Sequence, residues 1–386
     1  MVDYHWSAAR ENGPETHTAH SFISQLSLTL FRNHVQFTLQ TGNEPVVLIG
    51  DNGAGKTNIL EAISLLTPGR GLRSVSFSDM ANKESGQGWT MFTEIECGGD
   101  ANSIGMSYTP GEEAQDKRLI KINGTQIRSQ QELSDYLSVI WLTPEMSHMF
   151  TEGNSARRRF LDRLAASFDP EHTGRIAAYE HCTRERNRLL GMPRAEPAWL
   201  HAIEKKMSEY SVAIAAVRLM TVERLQHAIN EATTSFPKPR LAAEGEAEYM
   251  LRDGMTALAI EEWLEEKLSR IRDEDRQSGR SGAGAHRTTL RVHHTATGRE
   301  AGDCSTGQQK ALLTSIILGH ARARRSWQGS APILLLDEAV AHLDQTRRSE
   351  LFGEIHSLSA QAWLTGTDAA DFAEIVPRAQ FLKLEN

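Results

Sequence analysis

The sequence predicts an α/β fold with an inserted helical lobe, and three observations predict it. The apolar run Val46-Val47-Leu48-Ile49 leads into Gly50-Asp51-Asn52-Gly53-Ala54-Gly55-Lys56-Thr57, a complete G-x-x-x-x-G-K-T phosphate loop. A helical pattern from Asn58 to Leu66 follows, which supplies the strand–loop–helix setting that such a loop needs. A second apolar run, Ile333-Leu334-Leu335-Leu336, reads as a strand buried on both faces and ends in two carboxylates, Asp337 and Glu338. Between these halves, residues 153–275 carry long helical periodicities.

The remaining elements are justified in chain order. Residues 21–49 read as two or three strands: Phe22 to Leu28 is mixed apolar and polar, and Val35-Gln36-Phe37-Thr38-Leu39 alternates strictly. Pro68-Gly69 stops the helix after the loop. Residues 89–127 read as a meander, including Trp89 to Ile95 and Leu119 to Ile122, with an Asn123-Gly124 hairpin turn. Val139-Ile140-Trp141-Leu142 is a short buried strand ended by Pro144. The helical section predicts helices over 156–167, 176–190, 199–233 and 256–272, broken by Gly191-Met192-Pro193 and by Phe236-Pro237-Lys238-Pro239. Residues 277–303 predict a loop and then a hairpin around Leu290 to His293, and from 305 onward the pattern is α/β again. The domain reading is a flexible tail over 1–20, a first α/β part over 21–152, a helical lobe over 153–275 and a second α/β part over 276–386.

Composition sets bounds on function. With 39% hydrophobic and 24% charged residues the chain is an ordinary globular one. No apolar run approaches the ~18–20 residues of a membrane span, and residues 1–20 hold no apolar signal core, so a cytoplasmic location is expected. Cys97, Cys182 and Cys304 are odd in number and far apart, which fits a reducing compartment better than a disulfide framework. The net charge of −8 carries no whole-chain basic signature, so any nucleic-acid surface must be local.

The chemistry follows from the loop and the carboxylates. Glycines at 50, 53 and 55 let successive N–H groups curl inward at phosphate oxygens, and the helix N-terminus adds its positive end. Lys56 can reach the β- and γ-phosphates, and the Thr57 hydroxyl can hold Mg²⁺. Asp337 is placed to hold the same ion through its water shell, and Glu338 to orient and deprotonate the attacking water. Upstream, Ser305 with Gln308 has the spacing of a capping box at the start of a helix. The same Ser305, with the Gly307 backbone, also reads as a second anion cradle. One phosphate loop already supplies such a cradle, so the second has use if it meets a nucleotide held by another subunit.

These elements, in this order, resemble the ABC-type ATPases. Ser305-Thr306-Gly307-Gln308-Gln309 resembles their signature motif, Ala341-His342-Leu343-Asp344 their D-loop, and Trp363 to Thr367 the strand ending in a γ-phosphate sensor. The implied fold class is therefore an α/β ABC-type P-loop ATPase head with an inserted helical lobe. Within that superfamily the chain resembles the RecF family of bacterial DNA replication and repair proteins, over about residues 22–384. The residues carrying this are Leu28 to Asn33, Gly50 to Asn58, Gly71-Leu72-Arg73, Trp141 to Pro144, Arg157 to Asp162, Gly284-Ala285-His286-Arg287 and Ser305 to Lys310. The chain departs from the family pattern where Thr288-Thr289 stands in place of two acidic residues. Glu145 stands where the superfamily carries a glutamine-bearing loop.

The resemblance implies a weak DNA-dependent ATPase that closes into a head-to-tail homodimer on ATP. It implies nucleotide contacts from Gly50, Asp51, Asn52, Gly53, Ala54, Gly55, Lys56, Thr57 and Asn58, and from Ser305, Gly307, Gln308, Asp344 and Thr367, with Lys56 and Glu338 catalytic. The implied partners are DNA at duplex or gap junctions, RecO and RecR, and indirectly RecA. Residues 151–240 hold 15 Lys and Arg against 11 Asp and Glu, a net +4 within the acidic chain. Arg157 and Arg158, and Arg184 and Arg188, with Arg70 and Arg73 after the loop helix, are the candidate phosphate contacts. The other account of each is a solvated helical face with local ion pairs. As a whole-protein alternative, the ATPase subunit of a membrane transporter shares the phosphate loop, signature and carboxylates. It is expected to be far more compact between Thr57 and Ser305.

Overall fold

The computed structural model describes residues 21–111, 116–193, 196–341 and 343–385; the tail expected over residues 1–20 lies outside the described residues. The chain opens with β1 (Phe22–Phe31), β2 (His34–Gln40), β3 (Val46–Ile49) and helix α1 (Lys56–Ser64). Strands β4 (Trp89–Cys97), β5 (Asp100–Tyr108), β6 (Leu119–Ile122), β7 (Thr125–Gln126) and β8 (Val139–Leu142) follow. Next come α2 (Asn154–Ala166), α3 (His172–Leu190), α4 (Pro197–Glu231), β9 (Pro239–Glu244), α5 (Glu246–Arg252), α6 (Ala257–Arg270) and α7 (Arg272–Ser278). The last elements are β10 (Thr289–His294), α8 (Thr306–Gln328), β11 (Ile333–Leu336), α9 (Gln345–Ser357), β12 (Ala362–Gly366) and β13 (Gln380–Lys383).

A five-stranded parallel sheet in the order β13-β3-β12-β11-β8 is the centre of the molecule. Strands β3, β8, β11 and β12 are largely apolar because both faces are covered, while the edge strand β13 carries Gln380 and Lys383. Alternate residues of each strand enter different cores. Val47, Ile140, Leu334 and Leu364 join one with α8 and α2, while Val46, Trp141, Leu335 and Trp363 join the other with α1 and β1. A six-stranded antiparallel meander, β2-β1-β4-β5-β6-β7, closes the second core. Asn123 and Gly124, at φ 49° and 78°, make the tight turn from β6 to β7.

Helix α4 runs 35 residues, roughly 52 Å at 1.5 Å per residue. Met207 and Ile214 in its first part pack with Tyr179 and Leu268, and Leu225 and Ile229 in its last part belong to the main core. Gly319 of α8 lets the two helices approach closely there, since a Cβ at that position would lie 2.6 Å from Ile229 Cγ1. Buried Arg186 of α3 ties the helical section together through Glu204 of α4 at 2.9 Å and Asp275 of α7 at 2.6 Å.

The expected hairpin around Leu290 to His293 forms at the end of β10, where His293 bridges Glu300 and His294 N–H donates to the Arg299 carbonyl at 2.9 Å, but the strand's main partner is remote in sequence. Residues 289–294 pair antiparallel with 239–244, from Thr289 opposite Glu244 to His294 opposite Pro239. Leu241, Ala243, Leu290 and Val292 turn inward to the main core, which sets the register. The Pro-rich stretch before 239 reads as a break, and the strand it leads into finds its partner only after α5, α6 and α7.

Candidate nucleotide site

The phosphate loop leaves β3 at the carboxyl end of the parallel sheet, beside the end of β12. Gly50 N–H donates to the Gly366 carbonyl at 3.3 Å. Gly53 and Gly55 take φ 95° and 91°, the left-handed region that a side chain disfavours. At Gly55 space is also short, because a Cβ there would lie 2.6 Å from the Asn33 and His34 side chains at the β1–β2 turn. Asn58 donates to Asn33 at 2.8 Å, which locks that turn onto the loop helix. Helix α1 has no side-chain cap and no acidic residue in its first turn, so its positive end faces the loop without competition. Lys56 is 6% exposed, and its ammonium donates to the loop's own carbonyls, Gly50 at 2.6 Å and Asp51 at 2.8 Å. Asp51, Asn52 and Gly53 are exposed at the rim, and Ala54 is buried beneath it.

The carboxylates arrive from β11. Thr57 Oγ1 donates to Asp337 Oδ1 at 3.1 Å and Oδ2 at 2.9 Å, and Thr365 Oγ1 of β12 donates to Oδ1 at 2.7 Å. Thr365 also accepts from the Glu338 N–H at 2.9 Å. One hydroxyl on the neighbouring strand therefore aligns both acidic residues, a role that the sequence did not reveal. Asp337 is 5% exposed. Burial pushes its carboxyl above the usual range against those hydrogen bonds, and the charges of Glu338 and Glu145 push the same way. Glu145 stands in the turn after β8, whose Leu142 carbonyl accepts from Asp337 N–H at 2.9 Å. Glu338 is exposed and held at φ 48°, an uncommon backbone for a non-glycine residue.

Mg²⁺ fits this donor set. A hydroxyl and a carboxylate are hard oxygen ligands, and three nearby acids need a cation to offset them. The described residues hold no cluster of three or more His, Cys, Asp or Glu side chains arranged as a cage.

Among the other candidates, Thr367 follows Gly366 beside the loop, whereas Ser305, Gly307, Gln308 and Asp344 make no hydrogen bond to it among the described residues. Ser305 caps α8 and forms the expected capping box with Gln308, through bonds of 3.4 and 3.1 Å. Ser305 and Gly307 are exposed, and no hydrogen bond joins 305–308 to the loop among the described residues. Asp344 caps α9 by accepting from Arg347 N–H at 2.9 Å. Thr367 is exposed directly after β12.

The candidate phosphate-binding arginines divide by environment. Arg184 is 68% exposed and only loosely paired with Glu180 at 3.9 Å, and Arg188 pairs with Glu185 at 2.8 Å. Arg70 is bound to Asp116, and Arg73 to Asn58 and the buried Glu61. Arg157 donates to the Phe150 carbonyl and Arg158 to the His286 carbonyl, so both secure the start of α2.

The matched family is described as the RecF/RecN/SMC N terminal domain and covers residues 22–375. The DNA replication and repair protein RecF of Rhizobium rhizogenes is 44% identical over 360 residues, 93% of this chain and 96% of its own. The chain belongs to the RecF family. The RecF of Mesorhizobium japonicum is 43% identical over 370 residues, 95% of this chain and 97% of that protein. A solved structure of the recombination mediator protein RecF-ATPrS matches with a TM-score of 0.81 at 23% identity, covering 92% of this chain and 95% of that one. The fold is thus that of RecF-family heads, an α/β P-loop ATPase head.

Proposed function

We propose that this chain is an ATP-dependent DNA-binding protein of recombinational repair and a weak DNA-dependent ATPase. The relatives' name, DNA replication and repair protein, supports the process. The contact of Thr57 with Asp337 carries the nucleotide part, because it brings the loop and the acidic strand end together. In this reading residues 50–58 cradle ATP, and Lys56 exchanges its loop carbonyls for β- and γ-phosphate oxygens. A bound Mg²⁺ would neutralise phosphate charge between Thr57 and Asp337. Glu338 takes the proton of the attacking water.

The exposed Ser305 and Gly307, with Gln308, Asp344 and Thr367, complete the site of a second copy in a head-to-tail dimer. Duplex or gapped DNA is held in a cleft that forms only when two such chains meet, with the helical lobe of residues 153–275 and the ATPase parts at 21–152 and 276–386 of each copy contributing to it. Arg184 is the loosely held contact, with Arg188 paired to Glu185 and Arg70, Arg73, Arg157 and Arg158 likewise constrained. RecR and RecO are the protein partners, RecA the indirect one, and the cytoplasm the location. Membership of the RecF family disfavours the transporter-subunit reading.

The test is binding to gapped and plain duplex DNA, with and without ATP, for wild type and Glu338→Gln at two salt concentrations, with mass by light scattering. The expected result is an ATP-dependent dimer that binds DNA in a salt-sensitive way and accumulates in the variant. A working ATPase that binds no DNA in any nucleotide state would overturn the proposal.

A further inference from the structure

A cleft of about 710 Å³ opens where the C-terminal ends of α4, α8 and α9 converge, with Arg224, Arg322, Arg325, Trp327 and Glu354 among its lining residues. The α8 residues that line the cleft, Arg322 to Trp327, lie 17–22 residues beyond the Ser305 cap, roughly 25–33 Å along the helix from the signature motif. The cleft is separate from the nucleotide site.

The cleft's side chains leave one need unmet. Glu354 is paired with Arg322 at 2.6 Å, and Glu231 with His227 at 3.3 Å. Arg325 donates to the Ser357 carbonyl. Arg224 lies 3.6 Å over the Trp327 ring and 5.4 Å from that of Phe168, and its Nη1 is buried without a hydrogen-bond partner. A buried donor left unpaired costs free energy until an acceptor arrives. Trp327 is 57% exposed, although large aromatics of this kind usually cover apolar surface. Ala228, Ala323 and Phe168 form a small apolar cluster beside it.

We propose that this cleft docks a protein segment presenting one carboxylate next to an aromatic or aliphatic side chain. The carboxylate meets Arg224, and the apolar group lies on Trp327. Charge argues for a single anion. The lining holds Arg224, Arg322 and Arg325 against Glu231 and Glu354, an excess of one positive charge beside the partial negative ends of three helices, so one carboxylate is balanced whereas each further phosphate of a phosphodiester chain would meet repulsion. Arginine with an aromatic neighbour is also the usual anchor of protein interfaces.

The probe is an array of twelve-residue fluorescein-labelled peptides on a Gly-Ser background. Each carries one Asp placed one to three positions from a Leu or Phe, with matched Asn controls, and is titrated by anisotropy against the full chain. At least one Asp peptide is expected to bind, with a loss of about tenfold or more for its Asn control and for Arg224→Ala and Trp327→Ala. Ser326→Glu, at an exposed lining position, should weaken binding without removing any packing. ATP turnover should be unchanged in all three variants. The proposal falls if no Asp peptide binds, if Asn controls or variants bind equally, or if single-stranded DNA displaces the peptide. It falls equally if a photo-crosslinker replacing Ser326 joins, without peptide, to residues 1–20 or to a second copy, since the chain itself would then occupy the cleft.

Discussion

Thr57 and Asp337 stand 280 residues apart in the chain and share hydrogen bonds of 3.1 and 2.9 Å. These bonds align the loop helix with the acidic strand. The cost is a desolvated carboxylate, held above its usual range by burial and by neighbouring acids.

Asp337→Asn separates the two roles. Phosphate release under saturating MgATP should fall about 100-fold, as expected for losing several kcal/mol of charge stabilisation. The nucleotide-free protein should melt no lower than wild type, because a neutral amide replaces a desolvated anion. A melting temperature lowered by several degrees would show that the carboxylate is structural instead.

Gly55→Ala and Gly53→Ala test the loop. Both positions have positive φ, but only Gly55 lacks room, facing Asn33 and His34 at 2.6 Å. Gly53→Ala should cost about 1 kcal/mol of stability and Gly55→Ala more, up to about 3 kcal/mol with loss of ATP binding. Urea unfolding and nucleotide titration measure the two effects, and equal costs would contradict the packing argument.

Arg186 and Arg184 are two residues apart on α3 yet should behave as opposites. Arg186→Ala strands the buried Glu204 and Asp275 and should cost about 3–5 kcal/mol. Arg184→Ala should leave stability within about 0.5 kcal/mol. If Arg184 touches a phosphate, its loss should lower the salt slope of duplex binding by about 0.9. Chemical unfolding and salt-dependent DNA titrations distinguish these outcomes.

His320 makes stability depend on pH. Burial, reinforced by nearby Arg324 and Arg163, holds its imidazole down from 6.5 to about 3. The unfolded chain takes up a proton that the folded chain refuses. This contribution is therefore complete above pH 6.5 and declines as pH falls toward 3, by up to about 1.4 kcal/mol per unit. Between pH 7.5 and 5.5 unfolding free energy should drop by roughly 1 kcal/mol from this residue. His286, also lowered mainly by burial, acts with the same sign. Urea unfolding of His320→Gln should show a shallower dependence, and an unchanged slope would exclude His320 as its source.

Much of the fold was legible because its signals are local. Four-residue apolar runs ending in a phosphate loop or in carboxylates mark strands buried on both faces, and all such runs lie in one parallel sheet. Asn123-Gly124 announces its turn in two residues. The pairing of β9 with β10 was not legible, since register between strands that far apart depends on which faces the finished core covers. Arginines 184, 186 and 188 look alike in composition. Helical phase puts 184 and 188 on one face and 186 on the other, but only the packed lobe shows which face is wet.

The sequence by itself determined the loop, the acidic strand end, the α8 cap and the family, because each rests on residue types at short spacing. Tertiary structure decided that Thr365 aligns both carboxylates, that Asp337 is desolvated, and which arginines remain free. It also decided that three helix ends enclose a cleft around Arg224 and Trp327. These depend on distance and burial, which arise only when segments remote in sequence exclude water together.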